Sequence, residues 1–189
     1  NDVDSGETIT ELSGGGTDAI SIVTTTDFTN MSAASFDEIE KIQFDGVNQT
    51  ATFTSVQLTG ENIVLAETAS GTSNVIVSVG SGETVSLTGI TAGTFASAND
   101  TFTITGNSAN EVITGPNIAS TISGNDGNDN ITGGTTADTI NGNNGNDNLT
   151  GGDGGDSLVG GSGDDTYIFN TNDVDSGETI TELSGGGTD

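Results

Sequence analysis

An apolar or aromatic residue recurs at every ninth position along the second half of this chain. This ladder consists of Phe95, Ile104, Ile113, Ile122, Ile131, Ile140, Leu149, Leu158 and Tyr167. Glycines and polar residues fill most of the positions in between. A disordered Gly/Asn/Asp linker has no reason to keep this spacing, so the ladder predicts a repeating β-structure that starts near residues 89–97.

Five nine-residue blocks follow one another from Gly124 to Ile168: GNDGNDNIT, GGTTADTIN, GNNGNDNLT, GGDGGDSLV and GGSGDDTYI. Each block begins with Gly, has Asp at its sixth place and has an apolar or aromatic residue at its eighth place. Because glycine adopts positive φ without a side-chain clash, the first six residues predict a tight turn and the last three a strand. Two blocks then complete one flattened coil of a solenoid.

Sixth-place aspartates that are eighteen residues apart fall on the same edge of such a solenoid. The pairs are Asp129 with Asp147, Asp147 with Asp165, and Asp138 with Asp156. Successive coils lie about 4.8 Å apart, and two carboxylates at that distance repel by about 0.9 kcal/mol in water and about 3.5 kcal/mol at an effective dielectric constant of 20. A cation is therefore required, and Ca²⁺ suits the position because it takes six to eight oxygen ligands. Nothing in the pattern favours zinc.

The blocks follow the pattern G-G-x-G-x-D-x-U-x, in which U is apolar, and the chain therefore resembles the RTX (repeats-in-toxin) family. The resemblance implies a parallel β-roll in which the sixth-place Asp of two stacked turns and backbone carbonyls of the same turns hold each calcium ion. It also implies a secreted protein, extracellular or at the cell surface, that is exported by bacterial type I secretion.

The resemblance implies three complete calcium sites. The first consists of Asp129 with the carbonyls of Asn125 and Gly127, facing Asp147 with Gly142 and Asn144. The second consists of Asp147 with Asn143 and Gly145, facing Asp165 with Gly160 and Ser162. The third consists of Asp138 with Gly134 and Thr136, facing Asp156 with Gly151 and Asp153. Thr136 departs from the glycine of the pattern. The weaker block GNSANEVIT has Glu111 at its sixth place, and Glu111 is a candidate for a fourth site with Asp129.

Six short runs before the blocks are rich in Thr, Val, Ile and Ser and predict β-strands: AISIVTT, IEKIQF, TATFTSVQL, NIVLAE, NVIVSV and ETVSLT. A short helix is expected within residues 30–40, capped by Asn30 or Ser32. The pattern leaves open whether these strands form a sandwich or a calcium-free continuation of the solenoid, and it favours the solenoid because TFTITG runs in register into the blocks. The predicted fold is all-β, with a calcium-free β-rich region over 1–96 and a parallel calcium-binding β-roll over 97–169.

Residues 1–18 and 172–189 have the same sequence, NDVDSGETITELSGGGTD. An identity of eighteen letters is not a coincidence. The chain is therefore predicted to be one period of 171 residues from a tandem array, with residues 170–189 forming the start of the next repeat. Copies joined end to end would form a fibre.

The charge of the chain limits its partners. It contains 28 acidic residues and a single basic residue, Lys41, which gives a formal charge of -27. Nucleic acid and anionic membranes need a basic surface and are not expected partners. The chain has no Cys, His or Arg, and without the usual base, thiol nucleophile and anion clamp it is not expected to be an enzyme. No apolar run is long enough to span a bilayer.

Two functions remain open at this point. The first is a calcium-dependent structural module of a secreted, tandemly repeated protein, such as an adhesin stalk, a surface layer or a filament. The second is an accessory roll of a secreted enzyme or toxin that aids secretion and folding or binds polysaccharide. The number of 171-residue copies in the parent protein distinguishes them.

Overall fold

The structure is a computed structural model, and it describes residues 17–33, 36, 39–68, 71–95, 99–171, 173, 176–182 and 187. In the first part of the chain the elements are β1 (Ala19–Ile22), β2 (Thr26–Asp27), β3 (Lys41–Phe44), β4 (Gln49–Thr54), α1 (Ser55–Leu58), β5 (Val64–Glu67), β6 (Ser73–Ser78), β7 (Thr84–Ser86) and β8 (Thr91–Ala92). They are followed by β9 (Thr101–Thr105), β10 (Val112–Thr114), β11 (Thr121–Asp126), β12 (Asn130–Gly134), β13 (Thr139–Asn144), β14 (Asn148–Gly152), β15 (Ser157–Ser162), β16 (Thr166–Tyr167) and β17 (Thr179–Thr181).

Parallel strand pairs build a solenoid of about 7 turns. Three sheets form its faces, with strand orders β1-β3-β5-β8, β16-β14-β12-β10-β7 and β17-β15-β13-β11-β9-β6-β4-β2. The last sheet has eight strands and runs through both the first part of the chain and the block region. The all-β solenoid prediction is confirmed, and the sandwich alternative is wrong, because sandwich sheets are built from antiparallel strands.

The coils are longer in the first part of the chain than in the block region. In the block region, paired residues are eighteen apart, as in Ile122 with Ile140 and Ile131 with Leu149. In the first part the coils are longer, and Ala19 pairs with Lys41. Ile113 pairs with Val85 rather than with Phe95. The eighteen-residue spacing therefore begins with β9 and β10, slightly later than the expected start at 89–97.

The coil size determines what fills the interior. In the short coils the ladder residues from Ile104 to Leu158 are all fully buried at 0% exposure, one from each strand. The longer coils enclose a wider space, and aromatic rings fill it. Phe28 and Phe53 stack with ring centroids 5.0 Å apart, and Phe36 packs edge-on against both. Phe95 lies in this wider part, where it packs against Phe44 at 5.8 Å.

The predicted strand TATFTSVQL ends at Thr54, and α1 follows. The buried side chain of Gln57 explains the change, because its Oε1 accepts a hydrogen bond from Thr54 N at 2.8 Å. Its Nε2 donates to the carbonyls of Phe28 and Met31 at 2.7 and 2.9 Å. Among the described residues α1 is the sole α-helix, and four residues are too few to cross a membrane.

The other five predicted strands correspond to β1, β3, β5, β6 and β7. The predicted helix within 30–40 falls partly on residues 34–35 and 37–38, which lie outside the described residues. The described part of this segment forms turns, in which Phe36 N donates to Ala33 O at 2.9 Å and Ile39 N donates to Phe36 O at 3.1 Å.

The start of the second eighteen-residue copy stacks on the end of the block region. Strand β17 pairs in parallel with β15, so that Thr179 lies beside Ser157 and Ile180 beside Leu158. Gly187 N donates to Gly163 O at 2.7 Å. The first copy lies mainly in residues 1–16, outside the described residues, so structural equivalence of the two ends stays a prediction.

Candidate metal centre

Two ladders of stacked side chains follow the turns of the block region. The first edge consists of Glu111, Asp129, Asp147 and Asp165, and the second edge consists of Ser120, Asp138, Asp156 and Glu178. On both edges the backbone N–H of one member donates to the carboxylate of the next. The distances are 2.8 Å for Asp129 N to Asp147 Oδ1, 2.9 Å for Asp147 N to Asp165 Oδ1, and 2.8 Å for Asp138 N to Asp156 Oδ1. The structure thus brings together all three predicted aspartate pairs.

The second carboxylate oxygen of the ladder aspartates is the unusual feature of these edges. The side chains of Asp129, Asp138 and Asp147 are buried, with exposures of 1 to 3%. Their Oδ2 atoms are also buried, and within the described residues they accept no hydrogen bond. A buried charged oxygen without a partner is costly. Each of these oxygens therefore requires a cation or a proton.

The ionisation of these carboxyl groups reflects the same environment. Burial raises the pKa of Asp129 above its ordinary value. Burial, with a further contribution from neighbouring carboxylates, raises the pKa of Asp138 and of Asp147 to about 6. Without a cation, these groups hold protons more tightly than an exposed aspartate does.

The first-place glycines allow these oxygens to lie close to the backbone, because they have no side chain. A methyl group on Gly124 would lie 2.3 Å from Asp129 Oδ2 and 2.9 Å from Gly142 O. The corresponding distances at Gly142 are 2.2 Å to Asp147 Oδ2 and 2.7 Å to Gly160 O, and at Gly133 they are 2.7 Å to Asp138 Oδ2 and 2.4 Å to Gly151 O. In each predicted site, a carboxylate oxygen and a carbonyl oxygen of the facing turn therefore converge beside a glycine, where a side chain would collide with both. Mixed carboxylate and carbonyl oxygens are the ligands that calcium prefers.

Most of the remaining predicted carbonyl ligands face the neighbouring turn. Each of these carbonyl oxygens lies close to the position that a methyl group on the facing glycine would take. The distances from that position are 1.7 Å for Gly127 O at Gly145, 2.1 Å for Gly134 O at Gly152, 2.1 Å for Asn143 O at Gly161, 2.1 Å for Gly145 O at Gly163, and 2.8 Å for Thr136 O at Gly154. The carbonyls of Asn144 and Ser162 accept hydrogen bonds from Gly127 N and Gly145 N at 2.9 and 2.8 Å. A carbonyl oxygen has a second lone pair, so these bonds do not prevent coordination.

The backbone at places two and four has positive φ in most turns. The values are 76° and 114° at Asn125 and Gly127, 79° and 131° at Asn143 and Gly145, 102° and 127° at Gly152 and Gly154, and 116° and 129° at Gly161 and Gly163. Gly134 and Thr136 do not have this conformation. The Oγ1 atom of Thr136 is buried, and within the described residues it makes no hydrogen bond. The Asp138 site thus departs from the others at the residue where the sequence departs from the pattern.

The two other predicted ligands have the following contacts. Asp153 N donates to Gly134 O at 3.2 Å. Glu111 is 1% exposed, and its backbone N–H donates to Asp129 Oδ1 at 2.7 Å. Both oxygens of Glu111 already accept hydrogen bonds, from Gly82 N at 2.9 Å and from Asn107 N at 3.2 Å. The fourth site at Glu111 stays a prediction.

A ladder of asparagines at place five was not foreseen from the sequence. Asn110 Oδ1 accepts from Asn128 N at 2.8 Å, Asn128 Oδ1 from Asn146 N at 2.9 Å, and Asn146 Oδ1 from Asp164 N at 2.9 Å. These side chains fix the turns beside the first edge and add no charge at the three asparagine positions. The signal was present in the sequence, since the three asparagines have the same eighteen-residue spacing as the aspartates.

Among the described residues, no three acidic side chains come together as a metal cluster. An ion between two ladder carboxylates would therefore take its other ligands from backbone carbonyls. A family pattern described as the RTX calcium-binding nonapeptide repeat (4 copies) matches residues 105–140, 117–149 and 132–167. Residues 105–167 therefore consist of RTX calcium-binding nonapeptide repeats. This segment is a calcium-binding β-roll, and RTX repeats are typical of secreted proteins. Comparisons with curated proteins and with solved structures gave no match.

We expect Gly145→Ala to destabilise the RTX roll strongly. Its φ of 131° lies outside the region that L residues adopt readily, and the new methyl group would lie 1.7 Å from Gly127 O. We expect a loss of about 2 to 4 kcal/mol, since strain at a special backbone conformation and overpacking both contribute. Gly60→Ala is the matched control, because Gly60 also has positive φ, 82°, but nothing lies within 4 Å of its methyl position. Chemical denaturation in calcium measures both variants, and equal losses would contradict the close approach.

We also expect the RTX roll to respond to pH in opposite directions with and without calcium. The pKa of Asp138 and of Asp147 is about 6 in the fold, above the ordinary value of 3.8. In calcium-free buffer the higher pKa means that protonation of these groups favours the folded state. This contribution to the free energy of unfolding is complete below pH 3.8 and is lost as the pH rises through 6. For Asp138 it is at most about 3 kcal/mol. In calcium the protons compete with the ion, so affinity should fall as the pH drops below 6. Thermal melts from pH 4 to 8 test this, with Asp138→Asn as the non-titrating control. A calcium-free melting temperature that rises from pH 4 to 6 would contradict the expectation.

Proposed function

We propose that this chain is a non-catalytic, calcium-stabilised structural segment of a secreted tandem-repeat protein, and that it forms one period of an extracellular fibre, surface layer or adhesin stalk. The observation that carries the proposal is that the second copy of the eighteen-residue segment completes the RTX roll. Strand β17 is the last strand of the eight-stranded sheet, and Gly187 covers the turn at Gly163. Each roll would then be capped by the repeat that follows it.

The far side of this cap supports continuation of the solenoid. Ile180 occupies the position of a ladder residue beside Leu158, yet it is 48% exposed, whereas Leu158 is fully buried. A further coil stacked on β17 would bury Ile180 as the other ladder residues are buried. In a solenoid each coil is stabilised mainly by the coils beside it, so the following repeat is the natural source of this coil.

The charge and the calcium sites support an extracellular location. A formal charge of -27 disfavours compaction through self-repulsion. Calcium bound between the ladder carboxylates offsets this repulsion where the charges are closest. Extracellular calcium-binding modules have dissociation constants of about 10⁻⁴ to 10⁻³ M, and such sites fill outside the cell rather than in the cytosol.

We expect proteins of two and three periods to be more stable per period than a single period. Every internal roll is then covered by the first residues of the following repeat, and these residues are covered in turn by the next coil of that repeat. Fewer coil ends are therefore exposed to water per period. We expect the melting temperature in calcium to rise by several degrees from one period to two and by less from two to three. Electron microscopy should show particles that lengthen with period number, and a single period should associate end to end, because an uncapped strand edge pairs readily with another chain.

A three-period protein in calcium chelator is the control, because both the gain per period and the lengthening depend on folded rolls. A melting temperature that does not change with period number, together with compact and unconnected particles at all three lengths, would contradict the fibre. That result would favour an accessory roll attached to a secreted enzyme or toxin. The parent sequence provides an independent test, since a fibre requires many 171-residue copies.

A further inference from the structure

The second edge of the RTX roll continues past its last predicted aspartate. Eighteen residues after Asp156 the sequence has Val174, so the repeat rule provides no carboxylate to face Asp156. The structure provides one from four residues further on. Glu178 Oε2 accepts a hydrogen bond from Asp156 N at 3.2 Å. The carboxylate of each aspartate in this ladder likewise accepts a hydrogen bond from the backbone N–H of the ladder residue before it.

The register on both sides of Glu178 shows that it occupies the sixth place of a turn. The segment DVDSGETIT, from Asp173 to Thr181, aligns with the block GGDGGDSLV, from Gly151 to Val159. Thr179 pairs with Ser157, and Ile180 pairs with Leu158. A methyl group on Gly177 would lie 3.5 Å from Gly155 Cα, so the fifth places are also adjacent. Paired residues are twenty-two apart here instead of eighteen.

A turn before this segment accommodates the four additional residues. Asp173 N donates to Asn170 O at 3.2 Å, and Asn170 N donates to Asp173 Oδ2 at 2.5 Å. The turn lets the chain return to the second edge, so that Glu178 is brought over Asp156. A glutamate in an otherwise unrelated segment is thereby placed where an RTX block has its aspartate.

The turn below Glu178 has the backbone of a regular calcium half-site. Gly152 and Gly154 have φ values of 102° and 127°, which are positive like those at places two and four of the regular turns around Asn125 and Asn143. Asp156 is fully buried, and its Oδ2 lies 2.2 Å from the methyl position of Gly151. The second oxygen of Glu178, Oε1, is buried as well. Two carboxylates and this backbone form the same arrangement as the predicted sites within the roll.

The described part of the first edge has a different group beside its last predicted aspartate. The hydroxyl of Tyr167 accepts from Gly160 N at 2.8 Å. This hydroxyl lies 2.6 Å from the methyl position of Gly160, where the regular turns place a carbonyl of the facing turn. It also donates to the carboxylate of Glu182. Within the described residues, a neutral hydroxyl therefore lies beside Asp165 on the first edge, whereas a carboxylate lies beside Asp156 on the second edge.

We infer that Asp156 and Glu178, with the carbonyls of Gly152 and Gly154, hold a calcium ion that joins the RTX roll to the repeat that follows it. The inference rests on the proposed function, because it assumes that the roll binds calcium and that the segment containing Glu178 begins a new repeat. Calcium then links neighbouring repeats as well as neighbouring coils. The ion stabilises a contact between a regular RTX turn and a segment that lies outside the family pattern.

Calcium titration calorimetry of the full 189-residue chain, compared with Glu178→Gln, tests this inference. The variant keeps the size of the side chain and removes its charge, and it should bind one ion fewer than the parent chain. Glu182→Gln is the matched control, because it removes the same charge from the same segment but from a residue outside the ladder, and its ion count should equal that of the parent.

Asp156→Asn should lose two ions, one shared with Asp138 and one shared with Glu178. Glu178→Asp, which keeps the carboxylate, should recover binding at the junction in part.

Hydrogen exchange gives a readout that does not depend on counting ions. Calcium should protect the amides of residues 178–182 in the parent chain and in Glu182→Gln, and this protection should be at least tenfold weaker in Glu178→Gln. An unchanged ion count in Glu178→Gln, or a loss of only one ion in Asp156→Asn, would overturn the junction site while the roll still binds calcium. Absence of calcium binding by the whole chain would instead overturn the proposed function. If Glu178→Gln unfolds, the ion counts of Asp156→Asn and Glu178→Asp still decide.

Discussion

At neutral pH, where the ladder carboxyl groups are ionised, removal of calcium will unfold the RTX roll while the coils that precede it remain folded. Each ladder carboxylate in the roll has a neighbour of the same charge one coil away, and the buried Oδ2 atoms of Asp129, Asp138 and Asp147 lack a donor among the described residues. A site that exists only in the folded state adds about 2.7 kcal/mol when calcium is at 100 times the dissociation constant. Three such sites add about 8 kcal/mol, which is comparable to the whole stability of a typical domain.

The first part of the chain has a different source of stability. The ring cluster of Phe28, Phe36 and Phe53 is buried at 0 to 3% exposure, and no ladder carboxylate lies within its coils. Because the coils of a solenoid contact only their neighbours, one end can unfold while the other persists. Hydrogen exchange in chelator should therefore release the amides of β11 to β15 and leave those of β4 and β6 protected. Circular dichroism should show partial rather than complete loss of β-structure.

Magnesium is the control for this experiment. It requires near-octahedral geometry and gives up its water reluctantly, so it should not restore the roll at the same concentration. A spectrum that chelator does not change, or full recovery in magnesium, would contradict calcium-driven folding.

Asp147→Ala will cost the chain two calcium ions, whereas Asp165→Ala will cost one. Asp147 lies in the middle of the first edge, where its Oδ1 accepts from Asp129 N and its own N–H donates to Asp165 Oδ1. It therefore belongs to the sites on both sides, whereas Asp165 belongs to one of the predicted sites. We expect Asp147→Ala to lower stability in calcium by about 5 kcal/mol, corresponding to the loss of two bound ions.

Asp126→Ala is the matched control for this pair. Asp126 lies in the same region of the roll and carries the same charge, but it is exposed, and its Oδ1 accepts from the side chain of Asn144 outside the ladder. Its ion count should equal that of the parent chain. Calorimetry measures all three variants, and equal losses for Asp147→Ala and Asp165→Ala would mean that the edge pairing is wrong.

The sequence was sufficient to predict the features that repeat. Ladder residues such as Ile122 and Ile140, and ladder aspartates such as Asp129 and Asp147, recur at a constant interval, so the coil and its edges follow from spacing alone. The first part of the chain has coils of unequal length, and its strands alternate in the same way whether they pair in parallel or antiparallel. Periodicity therefore left the sandwich and the solenoid open until the pairing of residues such as Ala19 with Lys41 was known.

Features that depend on a change of register were harder to predict. Glu178 was not assigned to the ladder because it lies twenty-two residues from Asp156, and the turn at Asn170 that produces this interval has no repeating signal. The helix α1 depends on the long-range hydrogen bonds of Gln57 to Phe28 and Met31, which its local sequence does not indicate. The positive φ of Asn125 and Asn143 was also missed, although asparagine is among the residues that tolerate this conformation.

The eight-stranded sheet that runs through both parts of the chain has a mechanical consequence. Its strands lie across the solenoid axis, so the hydrogen bonds between coils lie along that axis and would bear a pulling force directly. Eight strands spaced about 4.8 Å apart span about 38 Å, whereas 171 residues drawn out fully would reach roughly 560 to 620 Å. Under tension a repeat would yield coil by coil, and the coils without calcium would yield before those that ions hold together. In the array proposed above, each repeat would hold about fifteen times its resting length as reserve extension, and the local calcium concentration would set the force at which that reserve is released.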